Sequence, residues 1–390
     1  MIRGVKPIVR LMAVMIVLAL LAAFMAPPPA GRPPIGPLER YDPEKYEVRF
    51  AVTLSAMQPL QAREEGIVPG TRRNYDLVDA PIVFPIVFMG AYSRVFNDSV
   101  EAKLWLSNHD TPPNLEIKSG FQHNSHLATM TVKKYYGQAI RFQFTTTMQS
   151  WSSKLDDQWA AKIAWPKEWP DEVKDSLGEQ TYIESNDPIF KDLVQQVTKG
   201  RLRMAPPILA VKELVRQVIN TVQVSGNGQD RGEFNVLRGM VVDGAKFAMT
   251  ERVCSPHDLV CACVAVLRAA EIPARPVVGF EEDGNGKSRY LSWVEFYLPE
   301  AGWVPFDPNE MRGKGIRTMA IDKPWPEFGT MKDLNERIPV SYHYIPPATV
   351  ESPMRPGIWG WDPRPGGDPG TDPVIIIDII GRGKGEEDPK

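Results

Sequence analysis

The chain is poor in cysteine and histidine, with 3 and 5 respectively in 390 residues. Three thiols are too few for a disulfide scaffold. His123 and His126, with His109 upstream, are the nearest approach to a metal set. No cysteine or paired carboxylate completes it, so neither a metal nor another cofactor is expected. An excess of one charge sign is also missing, since 45 lysines and arginines face 48 acids for a net charge of −3. That balance gives no reason to expect nucleic acid as a partner. Hydrophobic residues at 43% and charged residues at 24% exclude both a fully disordered chain and a multi-span membrane protein. Proline is the residue in excess, at 37 positions, about twice the usual ~5%. This favours turns, strand edges and linkers over a helical bundle. The length allows two or three domains.

Arg3, Lys6 and Arg10 precede an apolar run from Leu11 to Ala26. As a helix the run spans about 24 Å, short of a bilayer core of ~30 Å. Residues 1–26 therefore read as a signal peptide or as a retained N-terminal membrane anchor. The cleavage pattern is poor, because cutting after Ala26 leaves Phe24 at the −3 position. In either case the basic flank stays in the cytoplasm. The remainder is expected to be exported to a periplasmic or other extracytoplasmic site, touching the membrane through its N-terminus if uncleaved. Residues 27–39 form a proline-rich linker.

Alternation begins at Tyr46, with Tyr46, Val48, Phe50, Val52 and Leu54 on one face and Glu47, Arg49 and Thr53 on the other. Val100 to Leu106, Met130 to Val132 and Ile140 to Phe144 repeat the pattern. Residues 40–165 thus read as a β-sandwich. Trp165-Pro166 and Trp169-Pro170 mark a boundary. Ile208, Val211, Val215, Val218 and Val222 then lie on one helical face. Ser255, Pro256 and Asp258 form a helix start with a capping box. The stretch from Leu259 to Leu267 is apolar on every side and predicts a buried central helix. Strands are expected at 275–280, 290–298, 302–306 and 338–344. Seven prolines and eight glycines over 351–390 read as a linker or disordered tail. Within it, Val374 to Ile380 is a strand-like island suited to a sheet edge or to a partner. Trp359-Gly360-Trp361 either docks a ligand or packs on the core.

Two blocks carry a resemblance. The first runs Leu267-Arg268-Ala269-Ala270-Glu271-Ile272-Pro273-Ala274-Arg275-Pro276-Val277-Val278-Gly279-Phe280. The second is Trp293-Val294-Glu295-Phe296-Tyr297-Leu298 followed by Gly302-Trp303-Val304-Pro305-Phe306-Asp307-Pro308. Together they resemble the transglutaminase-like superfamily over roughly residues 180–350. The resemblance implies an α+β fold with a papain-like core, a buried helix packed on an antiparallel sheet, here preceded by the β-sandwich. It also implies acyl transfer by a thiol at the helix N-terminus, with a histidine and an aspartate from the sheet. A helix N-terminus and a neighbouring imidazolium lower the pKa of such a thiol, and the aspartate orients the imidazole.

Carried over residue by residue, the cysteine position falls on Pro256 and the histidine position on Leu291, while Asp307 matches. The nearest thiol is Cys254, two residues outside the helix. His257 reads as an exposed residue of the first helical turn, and His343 lies on a later strand. Cys261 and Cys263 read as buried small hydrophobes. The expectation is a catalytically inactive member, a pseudoenzyme that binds polypeptide or cell-envelope material. The alternative is a transglutaminase or cysteine peptidase that uses Cys254 with His257 and Asp307.

Overall fold

A computed structural model of the chain describes residues 36–56, 74–121, 123, 125–282, 288–344 and 356–387. The leader over 1–26, most of the 27–39 linker and part of the 351–390 segment lie outside these residues. Among the described residues no helix is long and apolar enough to cross a membrane.

The first alternating segments form β1 (Leu38–Ala56), β2 (Tyr75–Ile86), β3 (Ser93–Val95), β4 (Glu101–Leu106), β5 (His109–Thr111), β6 (Leu115–Phe121), β7 (Ser125–Gly137) and β8 (Ala139–Leu155). In β1 the apolar set from Tyr46 to Leu54 is buried, whereas Glu47 is exposed and Arg49 and Thr53 are half-buried. One face on a core and one in water is what a period of two encodes. Helices α1 (Asp157–Ala160), α2 (Pro188–Thr198) and α3 (Pro207–Thr221) follow, then β9 (Gln223–Val224), β10 (Gln229–Arg231) and β11 (Leu237–Met240). The third segment holds α4 (Ala245–Glu251), β12 (Val253–Cys254), α5 (Pro256–Ala269), β13 (Ala274–Glu282), β14 (Ser288–Leu298), β15 (Gly302–Phe306), α6 (Pro308–Gly313) and β16 (Ile338–Ser341). Two last strands are β17 (Gly360–Trp361) and β18 (Thr371–Lys384).

The larger sheet has the order β10-β11-β18-β1-β8-β4-β5, with β3 also on β8; a second sheet has the order β17-β2-β7-β6. Phe84 of β2 meets Phe142 and Phe144 of β8 with ring centroids 5.3 and 4.3 Å apart, so the inner faces of the two sheets pack on each other. A third, antiparallel sheet runs β15-β14-β13-β16. Helix α5 lies on β13 and β14 and is flanked by α2, α3, α4 and α6. Leu259 through Leu267 are all buried, which is why that helix is apolar all round. The α+β class and the buried helix on an antiparallel sheet are as expected.

The expectation of a linker or disordered tail over 351–390 needs correction. Thr371–Lys384 is a strand inserted between β1 and β11, in register with β1 from Glu44↔Lys384 to Ala56↔Thr371. Most prolines and glycines of the segment precede this strand. Within it Ile375 and Ile377 are buried, whereas Ile376 and Ile380 are exposed, a two-residue period that outweighs local composition. Strands β10 and β11 join the same sheet, so it draws on both ends of the described chain. Gly36–Glu387 is one compact unit. Phe50 of β1 meets Phe280 of β13 edge-on at 4.9 Å, a direct contact between the large sheet and the third sheet. Trp359 and Trp361 are buried; Trp359 sits edge-on to Phe142 at 5.8 Å and β17 pairs with β2.

Candidate functional site

The start of α5 is built as its sequence dictates. The Asp258 N–H donates to Ser255 Oγ at 3.1 Å, and the Ser255 N–H donates to Asp258 Oδ2 at 3.0 Å. Pro256 occupies the first helical position, where no N–H is needed. Asp258 Oδ1 also accepts the N–H groups of Asp243 and Gly244, at 2.7 and 2.8 Å. The acid two residues beyond the cysteine position therefore ties the turn before α4 to the helix start. Its burial raises the carboxyl pKa despite these donors.

Cys254 lies in β12, paired in parallel with β9, and is 4% exposed. Burial, and then the charge of Asp258, push its thiol up to about 12, with Arg312 pulling the other way. A thiol so placed stays protonated at neutral pH and is a poor nucleophile.

His257 is not an exposed first-turn residue; it is 1% exposed. Its Nδ1 is 2.8 Å from Ser292 Oγ, and that hydroxyl is 3.1 Å from the Tyr344 hydroxyl. The imidazole is thus engaged with a hydroxyl of β14 rather than with a thiol. Nε2 rests against Gly228, with no hydrogen bond of good geometry among the described residues. Gly228 has φ +74°, and a Cβ there would fall 2.8 Å from Nε2, so glycine is required on both counts. The burial was not legible because Gly228, Ser292 and Tyr344 all come from distant parts of the sequence.

Burial lowers the His257 pKa to about 4, against a raising contribution from the Gly228 backbone. His123 falls to about 4, through burial and then Arg268. His343 falls to about 3, through burial and then His123. Between roughly pH 4 and 6.5 the unfolded chain binds protons at these sites that the folded chain refuses. Their contribution to stability is therefore complete above about pH 6.5 and is lost as pH falls towards 4. His257 alone accounts for up to about 3 kcal/mol, from ~1.4 kcal/mol per pKa unit. His257→Gln is expected to flatten the dependence of the urea midpoint on pH across that window. An unchanged slope would contradict the assignment.

His123 lies near His343, with ring centroids 6.4 Å apart, but His126 and His109 are held elsewhere. His123 Nε2 is 3.1 Å from Gln180 Oε1 and its Nδ1 is 3.2 Å from Ser176 Oγ. His126 in β7 packs edge-on to Phe88, and His109 opens β5. Among the described residues no three His, Cys, Asp or Glu side chains are placed to hold a metal.

Leu291 is half-buried on the face of β14 that carries Trp293, and Ser292 points the other way, towards α5. Residues from both halves of the chain cover the Leu291 face, among them Val87, Tyr92, Leu334 and Tyr342. The Tyr92 hydroxyl donates to the Trp303 carbonyl at 2.6 Å. Asp307 caps α6, its Oδ1 accepting from the Asn309 and Glu310 N–H groups at 2.9 and 3.2 Å. Its Oδ2 accepts from Arg337 Nη1 at 2.6 Å. Both side chains of this ion pair are buried. The Asn309 side chain donates to the Pro256 carbonyl at 3.1 Å. Asp307 thus serves a helix cap and a guanidinium.

The conspicuous motif residues hold the fold together. Arg268 donates to the carbonyls of Ala274 and Gly178 and to Gln180 Oε1, at 2.7, 2.8 and 3.0 Å. Arg275 and Glu295 face each other across β13 and β14 as a buried ion pair at 2.7 Å. The Arg275 guanidinium also lies over the rings of Trp303 and Tyr342, at 3.9 and 3.7 Å. One charge of each sign in two apolar strands of a hairpin was a readable signal for that pair. Arg337, Ser292 and Tyr344 had no such signal.

A groove of about 840 Å3 lies elsewhere, lined by Asp156, Lys314, Trp325, Glu327, Lys332 and Asp333 among others; Cys254, His257 and Asp307 do not line it.

Residues 191–308 match the family model described as the transglutaminase-like superfamily. The "Uncharacterized protein YebA" of Bacillus subtilis (strain 168) is 42% identical over 62 residues, 13% of this chain and 8% of its own length. The chain therefore spans a small fraction of that relative. A candidate cysteine protease from Cytophaga hutchinsonii superposes with a TM-score of 0.53 at 11% identity, covering 90% of this chain and 94% of that one. At that identity the likeness concerns the fold alone. The periplasmic domain of TgpA from Pseudomonas aeruginosa, at 16% identity over 68% of this chain and 90% of that one, has a TM-score of 0.29, too loose to add to the assignment.

Proposed function

We propose, from the premise that residues 191–308 are a transglutaminase-like superfamily domain, that this chain keeps the scaffold of that family without its acyl-transfer chemistry and acts as a binding protein for polypeptide or cell-envelope material. The observation that carries the reading is the pair of residues at the thiol and imidazole positions. Pro256 is the first residue of α5 with its carbonyl held by Asn309, and Leu291 is packed in an apolar cluster. Neither side chain can exchange a proton or attack a carbonyl. The Asp307–Arg337 pair supports the same reading, because the carboxylate already has a cation. The basic flank and apolar run of residues 3–26 support export ahead of this domain. The 840 Å3 groove lies within the ~300–1,000 Å3 range usual for ligand pockets.

Cys254 provides the test. With its thiol pushed up to about 12 by burial and Asp258, Cys254 carries far less thiolate at pH 7.5 than a free cysteine, whose pKa is ~8.5. Native protein treated with iodoacetamide at pH 7.5 is expected to remain unlabelled at Cys254 by mass spectrometry, while urea-unfolded protein labels at all three cysteines. With casein as a polypeptide probe, the protein is expected to release neither ammonia nor new N-termini. Rapid native labelling of Cys254 with casein turnover, both lost in Cys254→Ala, would replace this reading with a thiol enzyme.

A further inference from the structure

Beside Arg337, the partner of Asp307, lies a small space of about 10 Å3, lined in part by Ser93, Trp293, Glu295 and Arg337. Two of these lining residues carry buried donors. Trp293 Nε1 and Arg337 Nε have no hydrogen-bond partner among the described residues. Trp293 is 2% exposed and Arg337 7%. The Arg337 guanidinium carbon sits 5.7 Å from the Trp293 ring centroid, so the two side chains are neighbours. Orphaned buried donors of this kind cost on the order of 1–3 kcal/mol each, so a native fold supplies an acceptor.

We propose that this space is a binding site for a single structural water that accepts from Trp293 Nε1 and Arg337 Nε and donates to the Glu295 carboxylate and the Ser93 hydroxyl. The volume matches one water and little else, since a water needs roughly 10–15 Å3 of such space and two to four polar partners. An anion is disfavoured by the Glu295 carboxylate in the wall. The two guanidinium charges nearby are already matched, Arg275 by Glu295 and Arg337 by Asp307. The bound water positions Arg337. Nη1 is held by Asp307 and Nε by the water, so the guanidinium plane is fixed from two sides. The site joins residues of the sandwich and of the third sheet, because Ser93 belongs to β3 while Trp293 and Glu295 belong to β14.

The experiment uses the full chain labelled with 15N at tryptophan. The indole Hε1 resonance of Trp293, identified by its loss in Trp293→Phe, is expected to show direct cross-relaxation with water of nanosecond or longer residence. A crystal structure at 1.8 Å or better, about the limit for placing such a molecule, is expected to show one water within about 3.2 Å of both nitrogens. Trp293→Phe is expected to lose that contact while the Arg337–Asp307 pair persists. Absence of both signals in the native protein, or density for an anion, would overturn the proposal. It does not depend on catalytic inactivity, since labelling of Cys254 leaves the water site untouched and a dry cavity leaves the inactive reading intact.

Discussion

A chain ending at Gly370 is expected to yield no soluble, folded protein. Such truncation deletes β18 from the interior of the larger sheet and strips β1 of one of its two partners from Glu44 to Ala56. It empties the places of Ile375 and Ile377, which are 4% and 5% exposed. Emptying the place of one buried isoleucine costs about 2–5 kcal/mol, so two approach the ~5–15 kcal/mol that stabilises a whole domain. The newly bared edges of β1 and β11 are also templates for association. Expression followed by fractionation is the first readout, and near-ultraviolet circular dichroism of any soluble fraction is the second. A truncated chain with a native near-ultraviolet spectrum and a cooperative melt would show that β18 is dispensable.

Replacing Arg337 by leucine is expected to cost about 3–5 kcal/mol, the usual penalty for leaving one member of a buried ion pair alone. The magnitude follows from burial, since the paired side chains are 8% and 7% exposed. The change orphans the Asp307 carboxylate while leaving its cap on α6 in place. Adding Asp307→Asn to Arg337→Leu is expected to recover part of the loss, because asparagine caps a helix about as well as aspartate and brings no charge to bury. Urea denaturation of the four proteins in this cycle gives the coupling directly. A loss below about 1 kcal/mol for the single variant would mean that the pair is not structural. Asp307 would then be free for the role its position implies in the family.

Much of this fold is written locally. The capping box at Ser255 and Asp258, the apolar face of α3 and the alternation along β1 and β8 each depend on neighbours within a few residues. The structure repeats them. What escaped was non-local. His257 looks like a solvent-facing cap residue until Ser292 and Tyr344 are brought over it. Arg337 is one basic residue among many until the turn just before β16 delivers it to Asp307. Proline and glycine counts over the tail average over a window and misled as to the whole, whereas the apolar island from Val374 to Ile380 did form a strand, inside the sheet between β1 and β11 rather than at an edge. The candidate site was legible as a set of alignable positions. Its physical state, a thiol out of reach of ionisation and a carboxylate already matched, was not.

The pairing of β1 with β18 also sets a clock. Lys384 binds Glu44 across 340 positions of sequence, so a ribosome must add some 340 residues after Glu44 before the β1–β18 ladder can form. Closing so large a loop slows the search for the native topology. During vectorial synthesis the early strands therefore wait as an unfinished half. Until then the open edge of β1 stays available for wrong pairings.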